Sequence, residues 1–167
     1  DISASKSVDL VYPPVVLIHG YQCTGSIFDN MQEFFHTKGF STFTVDYESE
    51  KGVIAGAEKI KRSLEIKKQE LMEEGTQVSR FDMITHSMGG IAARYYTSSK
   101  SYAKSNNVRK LIFLSVPHKG SRVASLGASY FDDAGVRDLI PQSDLIANVL
   151  PSMINGGLND SIQTGNI

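Results

Sequence analysis

The segment around Ser87 constrains the fold of this chain more than any other. The apolar run at residues 81–84 predicts a buried strand, and the residues after Gly89-Gly90 predict a helix that begins at once. A serine between them lies on an abrupt turn that strains its backbone and lifts its hydroxyl clear of the sheet. Gly89 leaves room for the helix to pack on the strand. Ser87 is therefore a candidate nucleophile; the alternative is an ordinary loop leaving a strand in a nucleotide-binding fold.

Strand and helix patterns alternate along the chain, without internal repeats. The alternation predicts buried strands with helices between them: strands at residues 15–18, 40–45, 81–84 and 108–115, helices at 26–38 and 53–74 and after Ser87. Ser26 to Asp29 resemble a capping box, and residues 102–107 are expected to be a polar loop. We expect one α/β domain over residues 1–167, with a mostly parallel sheet, helices on both faces, and a site beyond the carboxyl ends of the strands.

The stretch Thr85-His-Ser-Met-Gly-Gly resembles the nucleophile elbow of the α/β-hydrolase superfamily, and within it the lipases and esterases. The family's commonest elbow has a smaller residue where Thr85 stands, although threonine is compact and suits the end of a strand. Two more segments are similar to family turns: His19-Gly20-Tyr after the first strand, and Pro117-His-Lys-Gly-Ser after the fourth. The resemblance implies the α/β-hydrolase fold and an esterase or lipase activity.

The resemblance also implies roles for single residues. The backbone N–H groups of Tyr21 and Met88 would form the oxyanion hole, and their side chains would line an acyl or alcohol pocket. His118 would be a structural hydrogen-bonding residue rather than the general base, because the family's base arrives later in the chain. His19 and His86 belong to their turns, and His36 is expected on a helix surface.

The acid and the histidine of a catalytic triad are not found after Ser87. No histidine follows His118, and Asp144 is a poor candidate acid because its surroundings predict a turn and a short helix. The polar tail at residues 155–167 is expected to end where another strand should begin. Three explanations stay open: the chain is the N-terminal two-thirds of a longer hydrolase whose acid and histidine lie on another segment; it is a pseudoenzyme that binds without turnover; or another residue serves as base.

Composition limits the other classes of function. A net charge of −1 and interleaved acidic and basic residues in the helix at 53–74 argue against a nucleic-acid partner. No apolar run approaches the roughly 20 residues that a membrane span needs, so lipid contact would be peripheral. The lone Cys23 rules out an intrachain disulfide framework and is expected to be a small turn residue. We expect no metal or cofactor.

The sequence thus predicts a serine carboxylic-ester hydrolase that forms an acyl-enzyme on Ser87. The segment at residues 121–140 is a candidate lid over the site, the alternative being an ordinary loop and helix. Thioesterase and acyltransferase activities stay open because the same groups serve them. The chain starts at Asp1 rather than Met, so we expect that a signal peptide, a pro-segment or an artificial boundary precedes it, with a secreted or extracytoplasmic protein favoured.

Overall fold

The computed structural model describes residues 11–167, and residues 1–10 lie outside the described part. Five strands form one parallel sheet in the order β2-β1-β3-β4-β5. Their bounds are Val15–Ile18 (β1), Thr42–Val45 (β2), Phe81–His86 (β3), Val108–Leu114 (β4) and Gln163–Asn166 (β5). The parallel α/β sheet expected from the alternating pattern is confirmed.

Helices connect consecutive strands across the sheet. Their bounds are Asp29–Thr37 (α1), Val53–Glu73 (α2), Met88–Ser98 (α3), Tyr102–Ser105 (α4), Arg122–Gly127 (α5), Ala134–Asp138 (α6) and Leu150–Ser152 (α7). A π-helical turn at Leu145–Val149 leads into α7, and short 3-10 helices lie at Gly25–Phe28, Ser49–Lys51 and Ile154–Gly157. No helix within residues 11–167 combines the length and the apolar character needed to cross a membrane.

The sheet is buried on both faces. Side chains alternate along β1, so Val16 and Ile18 pack in the larger core with α2 and α3, whereas Val15 and Leu17 pack in a smaller core beside α1. All four of these residues are buried, which explains why the strand reads as a continuous apolar run in the sequence.

The helix predicted at residues 53–74 is confirmed as α2, almost to the residue. The expected helix at 26–38 is instead a 3-10 turn followed by α1, which begins at Asp29. The capping box was wrong: Phe28 is the N-cap of α1 and no side chain caps it, whereas Ser26 lies in the preceding 3-10 turn, where its hydroxyl bonds to that of Thr24.

Two further expectations were wrong. The predicted loop at residues 102–107 contains the short helix α4, since Tyr102 is buried and its hydroxyl accepts a hydrogen bond from the N–H of Val108. The tail does not stop short of a strand, because β5 pairs with β4 along Gln163–Asn166. Strand β5 is polar and mostly exposed, so its backbone hydrogen bonds, rather than apolar side chains, define it.

Candidate active site

Ser87 lies on the predicted strand-to-helix turn, directly after β3 and directly before α3. Its backbone has φ +50° and ψ −124°, a left-handed conformation that costs a non-glycine residue about 1–3 kcal/mol. Hydrogen bonds hold it there: the N–H of Ser87 donates to Leu114, and its carbonyl accepts from Gly90. The side chain is half-buried at the carboxyl edge of the sheet.

The two glycines after the serine are needed because α3 passes very close to the strands. A Cβ on Gly89 would lie 2.3 Å from the carbonyl oxygen of His19, and one on Gly90 would lie 2.2 Å from Val116. Thr85, the departure from the usual elbow, fits without strain because it is buried in β3 and its hydroxyl donates to the carbonyl of Ile112.

The His19-Gly20 turn lies beside the serine. A Cβ on Gly20 would lie 2.9 Å from the Cβ of Ser87, so only glycine permits this approach. His19 is buried, with Nδ1 donating to the carbonyl of Gly20 and Nε2 accepting from the N–H of Tyr47. These partners fix the orientation of the ring, and His19 therefore holds the turn in place.

The N–H groups of Tyr21 and Met88 come from this turn and from the first residue of α3. Neither N–H has a hydrogen-bond acceptor among residues 11–167. The amino end of a helix favours negative charge, so the Met88 N–H suits an anion. The side chains differ from expectation in one respect: Tyr21 lines the pocket at Ser87, whereas Met88 is fully buried in the core, because α3 turns it inward against the sheet.

None of the hydrogen bonds that the four histidines make within the described residues involves Ser87. His19 is held by Gly20 and Tyr47, and the Nε2 of His36 bonds to the hydroxyl of Thr42 on the surface. The Nδ1 of His86 is buried without a partner in the described part of the chain. None of the four histidines is therefore hydrogen-bonded to the Ser87 hydroxyl, the contact through which a general base takes the proton.

His118 is engaged at both ring nitrogens. A guanidinium can only donate, so the Nδ1 of His118 accepts from Arg94 at 3.2 Å, and its Nε2 donates to Asn166 at 2.9 Å. Burial, with a contribution from the Arg94 charge, lowers the pKa of His118. These contacts match the structural role that the family resemblance implies for this residue.

Asp144 does not line the pocket at Ser87. Its side chain is exposed and accepts a hydrogen bond from Asn148, one turn further along its own helical segment. The other late acids are also engaged or remote: Asp133 caps α6, and Asp138 accepts from the N–H of Val53. No cluster of three or more His, Cys, Asp or Glu side chains within residues 11–167 is arranged to hold a metal ion.

A cavity of about 460 Å³ opens at Ser87. Its walls are largely apolar and include Tyr21, Phe131, Val136 and Leu139. The segment at 121–140, the candidate lid, folds as α5 and α6 and contributes to the wall of this cavity. It also carries large exposed apolar side chains, at Val123, Leu126, Tyr130 and Phe131. A cavity of this kind can receive an apolar chain whose carbonyl lies at Ser87.

Two residues near the site were not found from the sequence. Asp133 accepts a hydrogen bond from the hydroxyl of Tyr21, and its place just before α6 as an N-cap was the one signal for it. Arg94 is buried and donates to the carbonyls of His118, Gly156 and Gly157, contacts that no sequence pattern indicates.

Solved hydrolase structures share this fold. The mature lipase BlEst2 of Bacillus licheniformis superposes with a TM-score of 0.71 at 18% identity, over 98% of this chain and 68% of that one. Phospholipase PlaB of Legionella pneumophila superposes with a TM-score of 0.75 at 18% identity, over 95% of this chain and 39% of that one. An inhibited esterase B of Lactobacillus rhamnosis gives 0.59 at 15% identity, over 89% and 55%. The chain therefore has the α/β-hydrolase fold and spans 39% to 68% of the length of these structures.

A sequence comparison with curated proteins gave no match. A family model, described as palmitoyl protein thioesterase, matches residues 14–150. The matched region runs from the start of the sheet to α7 and contains the elbow, the His-Gly turn and the candidate lid. With its α/β-hydrolase fold and this match over most of its length, the chain belongs to the palmitoyl protein thioesterase family.

Proposed function

We propose that this protein is a serine hydrolase that cleaves acyl esters through an acyl-enzyme on Ser87. The observation that carries the proposal is the position of Ser87: its strained backbone presents the hydroxyl between the His19-Gly20 turn and the apolar cavity. A nucleophile, two free N–H donors and a pocket for an acyl chain are the parts that acyl transfer needs.

The proposed reaction has two halves. The Oγ of Ser87 attacks the carbonyl carbon of the ester, and its proton passes to a base while the carbonyl oxygen becomes an oxyanion. The N–H groups of Tyr21 and Met88 donate to that oxyanion, and the alcohol leaves with the proton. Water then attacks the acyl-enzyme by the same route and releases the carboxylic acid, which regenerates Ser87.

The base and its acid partner are proposed to come from residues outside the 167 of this sequence. Each histidine of the chain lacks a hydrogen bond to Ser87, and the buried His19 and the half-buried His118 are both held by hydrogen bonds to other residues. The matched lipase and phospholipase structures are also longer than this chain. Without a base the serine hydroxyl stays protonated, so these 167 residues alone should be nearly inactive.

The substrate is proposed to be an ester with an apolar acyl group. The cavity beside Ser87 is lined mainly by apolar side chains, and the exposed apolar residues of α5 and the turn after it would allow peripheral contact with a lipid surface. A thioester is the second candidate. It is favoured by the family model, whose description names a thioesterase.

The proposal is tested with a fluorophosphonate probe, a short-chain aryl ester and an acyl thioester. We expect the natural protein to be labelled and to hydrolyse at least one acyl substrate, and Ser87→Ala to abolish labelling and lower kcat by about 10³-fold or more. Ser98→Ala is the matched control, because Ser98 lies at the far end of the same helix and its hydroxyl has no partner within the described residues.

The runner-up is a binding protein that keeps the fold without turnover. A natural protein that binds acyl ligands, is never labelled by the probe and hydrolyses none of the substrates would decide for it. Comparison of oxyester with thioester turnover separates the two candidate substrate classes.

A further inference from the structure

The side chain of Tyr21 connects the His19-Gly20-Tyr21 turn, which carries one proposed oxyanion donor, to α6. Its hydroxyl donates to Oδ2 of Asp133 at 2.5 Å, and Oδ1 of the same carboxylate accepts from the N–H of Val136 and caps α6. Burial, helped by the bond to Asp133, raises the pKa of Tyr21 to about 12. The hydroxyl therefore stays a donor over the pH range in which hydrolases are assayed.

The packing beneath this bond is tight. A Cβ on Gly135, in the first turn of α6, would lie 2.3 Å from the carbonyl oxygen of Ser49 and 3.0 Å from the ring of Tyr21. The hydroxyl of Ser49 also accepts a hydrogen bond from the N–H of Gln22, the residue after Tyr21. The start of α6 thus lies directly on the turn that carries the proposed oxyanion donor.

The other end of α6 is fixed independently. The carboxylate of Asp138 accepts from the N–H of Val53, the first residue of α2, at 2.7 Å. Between these two attachments α6 presents Val136 to the cavity, and Leu139 follows it there. If the bond at Tyr21 is removed, α6 keeps its attachment at Asp138 and loses the side-chain hydrogen bond that ties its amino end to Tyr21.

We propose that the Tyr21–Asp133 hydrogen bond positions α6 as a wall of the acyl pocket and thereby sets the length of acyl chain that the site accepts. Tyr21 has two separate parts in this arrangement: its N–H faces the reacting carbonyl, and its hydroxyl holds the pocket wall. The inference rests on the proposed acyl hydrolysis, since it names the group that determines its chain-length preference.

The test separates the two parts of Tyr21 in the natural protein. Tyr21→Phe keeps the ring and the N–H and removes only the bond to Asp133. Asp133→Ser keeps an oxygen that can cap α6 but is too short to reach Tyr21. The readout is the ratio of kcat/KM for octanoyl and butyryl p-nitrophenyl esters. We expect it to rise at least about threefold in each variant, which corresponds to the loss of one hydrogen bond to the wall.

The double variant should show the same ratio as either single variant, because each substitution removes the same hydrogen bond between residues 21 and 133. Tyr12→Phe is the control, since Tyr12 is exposed and stacks on Phe40 away from the cavity. An unchanged ratio in Tyr21→Phe, or a changed ratio there with none in Asp133→Ser, would overturn the inference.

A second readout keeps the inference testable if the protein proves inactive. Amide hydrogen exchange at Ala134–Asp138 should be faster in Tyr21→Phe than in wild type and unchanged in Tyr12→Phe. Equal exchange in wild type and Tyr21→Phe refutes the positional role. Absence of fluorophosphonate labelling in wild type, by contrast, refutes the proposed hydrolase and says nothing against faster exchange.

Discussion

Gly89 shows at the scale of one residue how the elbow depends on backbone contact. The glycine lies where α3 crosses the carboxyl end of β1, with no room for a side chain. Its proximity to the carbonyl of His19 also ties the turn at Ser87 to the His19-Gly20 turn. The glycine therefore links the two parts of the proposed site more directly than any side-chain interaction does.

Gly89→Ala should consequently damage both stability and reactivity. The new methyl would overlap the carbonyl oxygen of His19, which is backbone and cannot rotate away, so we expect a loss of about 2–3 kcal/mol in the free energy of unfolding. Urea denaturation measures the stability, and fluorophosphonate labelling measures the reactivity of Ser87. Labelling should fall even at low temperature, where the variant is still folded.

Gly165→Ala is the matched control for this change. Gly165 lies in β5 with nothing within 4 Å of the position its Cβ would take. It should leave both stability and labelling close to wild type. If Gly89→Ala had the same stability and labelling as Gly165→Ala, α3 could not lie as close to β1 as the structure has it.

At the scale of elements, α2 and β5 mark what could be predicted from the sequence. Helix α2 was found because Val53, Ala57, Ile60 and Leu64 recur at helical spacing and are all buried. Strand β5 was missed because its residues are polar and its place is set by pairing with β4, which leaves no hydropathy pattern. Elements defined by burial are visible in the sequence, whereas an edge strand defined by backbone hydrogen bonds is not.

Helix α5 has an unusual surface for a short helix beside a cavity. Val123 and Leu126 are 75% and 74% exposed, and Val123 also lines the cavity at Ser87. Contact of these apolar side chains with lipid would be favourable, because it removes their surface from water. The surface of α5 thus supports the proposed peripheral contact with lipid.

Leu126→Gln should therefore weaken vesicle binding without affecting the pocket. We expect binding to phosphatidylcholine vesicles to fall about tenfold, the equivalent of losing the burial of one leucine side chain, and turnover of a soluble butyryl ester to stay unchanged. Ile66→Gln is the control, because Ile66 is equally apolar and 59% exposed but lies on α2. If Leu126→Gln and Ile66→Gln bound vesicles equally well, α5 would not be the part of the protein that contacts lipid.

At the scale of the whole molecule, a network around Arg94 joins segments far apart in the sequence. Its guanidinium, buried in α3, donates to His118 after β4 and to the carbonyls of Gly156 and Gly157. Burial lowers the pKa of Arg94. His118 then donates to Asn166, the last residue of β5. The helix that follows Ser87 is thereby connected to the edge of the sheet where no sequence pattern predicted a strand.

The residues of this network could not all be predicted from the sequence, and they differ in this from the turn at Ser87. The turn at Ser87 was predicted from a local pattern, because a strand-to-helix turn has local requirements. The proposed roles of the His-Gly turn and of His118 came from the family resemblance. The contacts of Arg94 and Asn166, and the bond between Asp133 and Tyr21, form only when distant segments meet, so no spacing in the sequence predicts them. Asp144, the weak candidate for the acid, is exposed and bonds to Asn148 on its own helical segment, as the turn and short helix expected around it suggest.

The neutral state of His118 predicts how folding stability depends on pH. Its native pKa is lowered, first by burial and also by the Arg94 charge, whereas the unfolded chain should titrate near about 6.5. The unfolded state therefore takes up the proton first as pH falls. The contribution of His118 to stability is complete above about pH 6.5 and is lost as pH falls below that value towards the lowered native pKa.

Urea denaturation at a series of pH values between about 8 and 5 tests this, with His118→Gln compared with wild type. Glutamine cannot titrate, so the variant should be less stable than wild type at pH 8 but should lose less stability on acidification. His36→Gln is the control, because His36 is exposed and makes no contact with the Arg94 network. Parallel losses in wild type and His118→Gln would mean that His118 does not hold the network in its neutral form, and that β5 is attached to α3 by other contacts.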